Sequence, residues 1–120
     1  MSDKKRVLVV EDDHILQKVA AMNLQGFDVH VETAPHGKKA LEKMQKLGFA
    51  LVLMDIHMPE MNGIEATKQI RESEKGTGRH VPIVGVSADP ELERQALAAG
   101  MDEFVLKPAD YKRIATRWLV

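Results

Sequence analysis

Short apolar segments alternate with longer segments of helical spacing along the chain. The apolar segments have strand length, are mostly rich in β-branched residues, and lie at Val7–Val10, Val29–Thr33, Ala50–Met54, Ile83–Val86 and Phe104–Leu106. The intervening segments repeat apolar residues every three or four positions and are predicted to be helices, at His14–Gln25, Lys38–Lys46, Ile64–Glu74, Pro90–Ala99 and Asp110–Leu119. Alternation of strand and helix predicts a single α/β domain over residues 1–120, built on a parallel sheet.

Local signals refine two of these helices. The first helix places Ile15, Val19, Met22 and Asn23 near one face, with Ala20 and Leu24 beside it. The fourth helix has Pro90, which suits a first turn, and Gly100, which suits a helix end.

The apolar strands also predict the topology. A continuous apolar strand such as Leu51–Met54 is typical of a sheet covered by helices on both faces. Because crossover connections are right-handed, a flavodoxin-like order 2-1-3-4-5 is favoured for five strands. In that order strands 1 and 3 are neighbours, and ligands bind at their carboxyl ends.

Composition removes several classes of function. The chain has no cysteine, so a disulfide framework, a thiolate nucleophile and a cysteine zinc site are excluded. No apolar run reaches membrane-spanning length, and the net charge is -1 with scattered Lys and Arg. We therefore expect a cytoplasmic protein that binds neither nucleic acid nor membranes, with its function in a local site.

Charged and hydroxyl residues follow four of the five predicted strands. Glu11-Asp12-Asp13 follows the first strand, Asp55 the third, Ser87 the fourth and Lys107 the fifth. Because the carboxyl ends of parallel strands meet at one sheet edge, we expect the carboxylates of Glu11, Asp12 and Asp55 within a few ångströms of each other.

Such a group of acids needs positive charge. Two carboxylates about 4 Å apart repel by about 4 kcal/mol at an effective dielectric constant of about 20. A hard dication such as Mg²⁺ relieves that repulsion with oxygen ligands, and the Lys107 ammonium supplies a second positive charge. Together they would suit an incoming phosphoryl group, for which Asp55 is the natural nucleophile.

At this point the residues resemble a known family. The motifs Val9-Val10-Glu11-Asp12-Asp13, Asp55–Gly63, Val86-Ser87-Ala88 and Lys107-Pro108 are similar, in order and spacing, to those of response-regulator receiver domains. The segment Ala98–Phe104 resembles most the receiver modules of hybrid sensor histidine kinases. The resemblance covers nearly the whole chain.

The resemblance implies a role for each site residue. Asp55 would be the phosphoacceptor, and Mg²⁺ (or Mn²⁺) would be bound by Asp55, Asp12, Glu11 partly through water, and the backbone carbonyl of His57. Ser87 and Lys107 would bind the phosphoryl oxygens. The Lys107–Pro108 peptide bond would be cis, as proline allows.

The resemblance also implies partners and a switch. The phosphoryl group would come from a phosphohistidine on a sensor histidine kinase or a histidine phosphotransfer domain. Ser87 and Phe104 would then change the surface of helix 4, strand 5 and helix 5. Phe104 lacks a hydroxyl, so the switch would rest on packing, and the last helix looks short. We expect no output domain within this sequence, which leaves open whether it is a free-standing regulator or a module of a hybrid kinase. The chain would be a signalling receiver with only slow autodephosphorylation, and a weak homodimer of the phosphorylated form is an option that the sequence leaves open.

Ordinary roles compete for each residue taken alone. Asp13 is expected to cap the first helix, and Ser87 alone would suit a cap near Pro90. Phe104 alone would be core, and Lys107 alone a solvated loop residue. The five histidines, which lack paired metal-binding spacing, are expected at the surface: His14, His30, His36, His57 and His80.

Three other functions fit the fold. A flavin or nucleotide binder needs backbone amides after strand 1, where this chain has three acids. A haloacid-dehalogenase-like hydrolase would need Asp-x-Asp, but His57 stands at the second position. A receiver used only for binding would not need Glu11, Asp12, Asp55, Ser87 and Lys107 together.

Overall fold

The computed structural model describes residues 4–58 and 61–120, in which five strands form one sheet. The strands are β1 (Lys5–Val10), β2 (Val29–Ala34), β3 (Leu51–Asp55), β4 (Ile83–Ser87) and β5 (Glu103–Leu106). All neighbouring pairs are parallel, and the order is β2-β1-β3-β4-β5. The predicted flavodoxin-like topology is confirmed. Strands β2, β3 and β4 end one residue later than their predicted apolar runs, and β1 and β5 begin two residues and one residue earlier, because backbone pairing does not stop where hydrophobicity does.

Five α-helices connect or follow the strands. They are α1 (His14–Leu24), α2 (Gly37–Lys46), α3 (Gly63–Glu74), α4 (Glu93–Ala99) and α5 (Tyr111–Leu119). The predicted fourth helix is wrong in its first turn, since Pro90–Leu92 is a 3-10 turn capped by Asp89. Gly100 ends α4 at a φ of 114°, a left-handed conformation that glycine adopts without strain. No helix within the described ranges is long and apolar enough to cross a membrane.

The sheet is covered on both faces. Every residue of β3 and β4 is buried, as expected for central strands between two helical layers. One core lies between the sheet and helices α2, α3 and α4, and we call it the α2–α4 core; it includes Leu8, Val10, Val52, Met54 and Ile70. The other lies under α1 and α5, and we call it the α1–α5 core; it includes Val7, Val9, Leu51, Leu53 and Ile114.

Helix α1 packs through Ala20 and Leu24, which are its buried residues, and not through all of its apolar positions. Ile15 and Met22 are 71% and 68% exposed, and Val19 is 39% exposed. These three residues therefore form an apolar stripe on the surface, which we call the α1 stripe.

A network of charged side chains ties the end of α3 to the amino ends of β4 and β5. The Arg71 guanidinium donates to Asp102 at 2.8 Å and to Glu74 at 2.7 Å, and its Nε donates to the carbonyl oxygen of Gly100. Asp102 also accepts a hydrogen bond from the Ile83 backbone N–H at 2.8 Å. The network lies at the opposite end of the sheet from the acidic residues.

Candidate functional site

The register of β1 and β3 brings two acidic residues together. Val10 lies opposite Met54, so the residues that follow them, Glu11 and Asp55, are neighbours. The Glu11 N–H donates to the carbonyl oxygen of Ala34 at 2.9 Å, which continues the pairing with β2 one residue beyond β1. Both carboxylates are therefore positioned by sheet backbone, not by a mobile loop.

The predicted acidic cluster is present. One carboxylate oxygen from each of Glu11, Asp12 and Asp55 lies within 4.8 Å of the other two. Glu11 and Asp55 are each only 4% exposed, whereas Asp12 is exposed. The cluster is therefore a pocket with two acids at its base and one at its opening.

Lys107 bridges the two buried acids. Its ammonium nitrogen lies 3.3 Å from Glu11 Oε1 and 3.2 Å from Asp55 Oδ1. The backbone N–H of Lys107 donates to the carbonyl oxygen of Ser87 at 2.9 Å, so the end of β4 helps to hold it. The Lys107–Pro108 peptide bond is cis, as the resemblance implied.

One positive charge does not balance the cluster. Burial, followed by the charge of Asp55, raises the pKa of Glu11 to about 7. Burial acts to lower the pKa of Lys107, but the charges of Asp55 and Glu11 prevail and raise it, so Lys107 stays protonated at neutral pH. The pocket at neutral pH therefore holds an acid that is only partly ionised, as expected where a further cation would be favourable.

The donor set suits a hard dication. Three carboxylates from the described residues converge, and their oxygen atoms are the ligands that Mg²⁺ and Mn²⁺ prefer over nitrogen or sulfur. Two of the three are buried, which is costly without a counter-charge. These residues thus fit the metal that the sequence indicates.

Two residues that the sequence analysis did not assign to the site support Glu11. The Gln17 side-chain amide donates to the Glu11 carbonyl oxygen at 2.5 Å, and the Asp13 backbone N–H donates to Glu11 Oε2 at 3.2 Å. Asp13 also caps α1, as predicted, by accepting from the N–H groups of Ile15 and Leu16. The sequence has no signal for Gln17, because glutamine is common on any helix face.

The remaining predicted residues lie around the pocket without joining the cluster. Ser87 is 1% exposed, and its hydroxyl accepts from the Asp89 N–H at 3.0 Å. No hydrogen bond between Ser87 and Asp55 occurs within residues 4–58 and 61–120. Asp89, not Ser87, caps the turn at Pro90. His57 is exposed just after β3, and Phe104 is half-buried against the α2–α4 core.

Comparisons with known proteins agree with this geometry. The family model described as "Response regulator receiver domain" matches residues 7–118. The chain is 42% identical over 120 residues to "Histidine kinase CKI1" of Arabidopsis thaliana, covering 86% of this chain and 11% of that protein. It is 38% identical over 109 residues to "CAI-1 autoinducer sensor kinase/phosphatase CqsS" of Vibrio cholerae, covering 89% of this chain and 16% of that protein.

A solved structure that contains a receiver domain also matches the chain. The co-crystal structure of the Saccharomyces cerevisiae histidine phosphotransfer signaling protein Ypd1 and the receiver domain of its downstream response regulator Ssk1 matches with a TM-score of 0.85. The identity is 31%, and the match covers 96% of this chain and 86% of that chain. The chain spans well under a fifth of the length of the two kinases that it matches.

The fold and the acidic pocket define a phosphoryl-accepting signalling module. The chain belongs to the response regulator receiver domain family of two-component systems. Its curated relatives above are histidine kinases that contain such a segment.

Proposed function

We propose that Asp55 is the phosphoacceptor of a receiver domain formed by residues 1–120. The supporting observation is the position of its carboxylate, 3.2 Å from the Lys107 ammonium and beside Glu11 and Asp12. An Asp55 oxygen attacks the phosphorus of a phosphohistidine, a P–O bond forms, and the P–N bond breaks. The electron pair of the broken bond returns to the imidazole of the donor.

The same residues would hold Mg²⁺ or Mn²⁺. The carboxylates of Glu11, Asp12 and Asp55 and the backbone carbonyl of His57 are the proposed ligands. A bound dication would supply charge that stabilises the oxygens of the transferring group. Lys107, already protonated and held by two carboxylates, would pair with a phosphoryl oxygen in the same pocket.

Ser87 and Phe104 form the proposed switch. The Ser87 carbonyl oxygen accepts from the Lys107 N–H at the edge of the pocket, and the Ser87 hydroxyl oxygen accepts from the Asp89 N–H. That contact leaves the hydroxyl proton unused, so Ser87 could donate it to a phosphoryl group once its side chain turns toward the pocket. Phe104 lies on β5 opposite Gly85, two residues before Ser87, so a shift at the end of β4 would reach its ring.

The proposed partner is the phosphohistidine domain of a kinase or of a phosphotransfer protein. The related Ssk1 receiver is described in complex with the phosphotransfer protein Ypd1. In this chain the α1 stripe of Ile15, Val19 and Met22 begins two residues after Asp13, beside the pocket. An apolar stripe at that place suits a partner that must bring a phosphohistidine to Asp55.

The proposed role is signalling, and slow hydrolysis would end the signal: water attacks the phosphorus, the P–O bond to Asp55 breaks, and inorganic phosphate and the free carboxylate result. Incubation with Mg²⁺ and a small acyl-phosphate donor should add one phosphoryl group to the protein by mass spectrometry. The Asp55→Asn variant should show no gain. Asp28→Asn is the matched control, because Asp28 is exposed and its left-handed φ of 54° is one that asparagine tolerates. An equal gain in Asp55→Asn would reject the assignment.

Two cheap measurements address the other functions. Flavin absorbance in the purified protein would support a flavin binder instead. Steady turnover of a small phosphoester would support a hydrolase.

A further inference from the structure

Tyr111 is the one tyrosine of the chain, and it lies at the start of α5. It follows Lys107 by four residues, and Asp110 caps the helix just before it. Its side chain belongs to the α1–α5 core, and the residue is 8% exposed. The ring is therefore held by packing near the segment that carries Lys107.

Glu11, Asp55 and Lys107 point to the face of the sheet that the α1–α5 core covers. Successive side chains of a strand point to opposite faces of the sheet. Val7 and Val9 of β1 belong to the α1–α5 core, and Glu11, two residues after Val9, points to the same face of the sheet. Leu51 and Leu53 of β3 belong to the same core, and Asp55, two residues after Leu53, also points to that face. Val105 packs against the same core and is followed, two residues later, by Lys107. Tyr111 thus belongs to the apolar layer on the side of the sheet to which Glu11, Asp55 and Lys107 point.

The Tyr111 hydroxyl is not used within the protein. It makes no hydrogen bond to any of the residues that the structure describes, and no fully buried side-chain oxygen or nitrogen among them lacks a partner. The phenolic oxygen must therefore contact solvent although its ring is buried. Burial, then the charge of Glu11, raises the pKa of the Tyr111 hydroxyl, which agrees with a position near that acid and keeps the hydroxyl a neutral donor.

We propose that Tyr111 is a positioning residue of the metal pocket, whose hydroxyl donates through an intervening water to the Glu11 carboxylate. This inference rests on the proposed function, because Glu11 is a metal ligand only there. Carboxylates that bind metals are themselves hydrogen-bonded by outer residues, and loss of such a partner costs about 10-fold or more in metal affinity. Water-mediated hydrogen bonds are nearly as good as direct ones. The Glu11 carboxylate already accepts hydrogen bonds from the Asp13 N–H and the Lys107 ammonium, and the Tyr111 hydroxyl would add a third donor through the water.

The test compares Tyr111→Phe, which keeps the ring and removes the hydroxyl, with the wild type. Calorimetric titration with Mg²⁺ alone should give about 10-fold weaker binding for Tyr111→Phe. In the phosphorylation assay, half-saturation should need correspondingly more Mg²⁺, whereas the rate at saturating Mg²⁺ should be unchanged. Ile114→Val is the matched control, since it removes a methyl group from the same core and helix and should leave Mg²⁺ affinity unchanged.

The single tyrosine provides a second measurement. With the tyrosine ring isotopically labelled only at its ε carbons, the NMR signals of the wild type all come from Tyr111, and they should shift during Mg²⁺ titration with the dissociation constant found by calorimetry. Equal Mg²⁺ affinity of Tyr111→Phe and wild type, or a ring signal that Mg²⁺ does not move, would overturn this inference. A wild type that binds Mg²⁺ but takes no phosphoryl group would contradict the proposed function alone.

Discussion

The Lys107 ammonium lies 3.2 Å from the Asp55 carboxylate, although 51 residues separate the two in the chain (107 − 55 − 1). Only the packing of β5 beside β4, and of β4 beside β3, brings them together. Lys107 is a single compact charge that touches Asp55 and Glu11 at once. Its position suits an anion that arrives on Asp55 more than it suits fold stability, because both acids could also be neutralised by a dication.

We expect Lys107→Ala to bind Mg²⁺ but to be phosphorylated about 100-fold more slowly, the usual cost of removing one group that stabilises transferring charge. The rate of mass gain at saturating Mg²⁺ measures the phosphorylation, and calorimetry measures the Mg²⁺ binding. Lys112→Ala, an exposed lysine on α5, should behave like the wild type. Complete loss of Mg²⁺ affinity in Lys107→Ala would contradict the role given to this residue.

Glu11 should make the stability of the metal-free protein depend on pH. Its pKa is raised from 4.5 to about 7 by burial and by Asp55, so between these values the folded state binds more protons than the unfolded state. The stability contributed by the protonated form is then present below about pH 4.5 and is lost as pH rises toward 7. The loss is about 3 kcal/mol at most, at 1.36 kcal/mol per pKa unit.

Chemical denaturation between pH 4.5 and 8 in a chelator measures this effect. Glu11→Gln is uncharged throughout and should remove the fall in the free energy of unfolding over that range. Mg²⁺ should stabilise the wild type more at pH 8 than at pH 5, since protons compete for Glu11. A wild type whose stability follows that of Glu11→Gln at every pH would show that Glu11 is not perturbed.

The topology and the acidic pocket were predictable for one physical reason. Parallel strands place all their carboxyl ends at one edge, so residues after a strand are brought together whatever their separation in sequence. Glu11, Asp55 and Lys107 each follow a strand directly, and their meeting depends on strand order alone. The resemblance to receiver domains added the roles, which strand order does not contain.

The face through which α1 packs and the place of Tyr111 were not predictable, because a hydrophobic pattern does not determine how a helix is rotated about its axis. Helix α1 buries Ala20 and Leu24 and exposes Ile15 and Met22, although all four are apolar. The sequence pattern did not decide between the two adjacent faces, because a surface for a partner can be as apolar as a core face. The role proposed for Tyr111 was not predictable either, because a tyrosine in the first turn of a helix is usually an ordinary core residue.

The Arg71 network should be important for stability and not for the pocket. Arg71, Glu74 and Asp102 are mostly buried, with side chains 16%, 14% and 21% exposed. Arg71→Ala removes the cation that pairs with two mostly buried acids and the donor to the Gly100 carbonyl, so we expect a loss of about 2–3 kcal/mol in the free energy of unfolding. Urea denaturation measures it.

Lys75→Ala provides the comparison for Arg71→Ala. Lys75 pairs with Glu72 on the same helix, but both side chains are more than 70% exposed, so its removal should not change the unfolding midpoint. Equal midpoints for Arg71→Ala and wild type would show that the network is not a source of stability. Mg²⁺ affinity should be the same in all three proteins.

An added methyl group at Gly85 should force the buried Met101 side chain to move. A Cβ built on Gly85 collides with the Met101 sulfur and lies 3.2 Å from its terminal methyl, and Met101 is 5% exposed in the α2–α4 core. Overpacking of this kind costs about 1–3 kcal/mol, so Gly85→Ala should lower the unfolding midpoint. Gly48→Ala is the control, because nothing lies within 4 Å of its added Cβ.

The cause of that loss can be separated from a general intolerance of β4 by a double-mutant cycle. Met101→Ala alone should destabilise the protein by leaving a cavity. In the double variant that combines Gly85→Ala with Met101→Ala, the two changes should compensate, since the new methyl group enters the space that Met101 vacates. The coupling energy should therefore favour the double variant by about 1 kcal/mol or more. Additive losses in urea denaturation would mean that Gly85 is required for its backbone and not for the room it leaves to Met101.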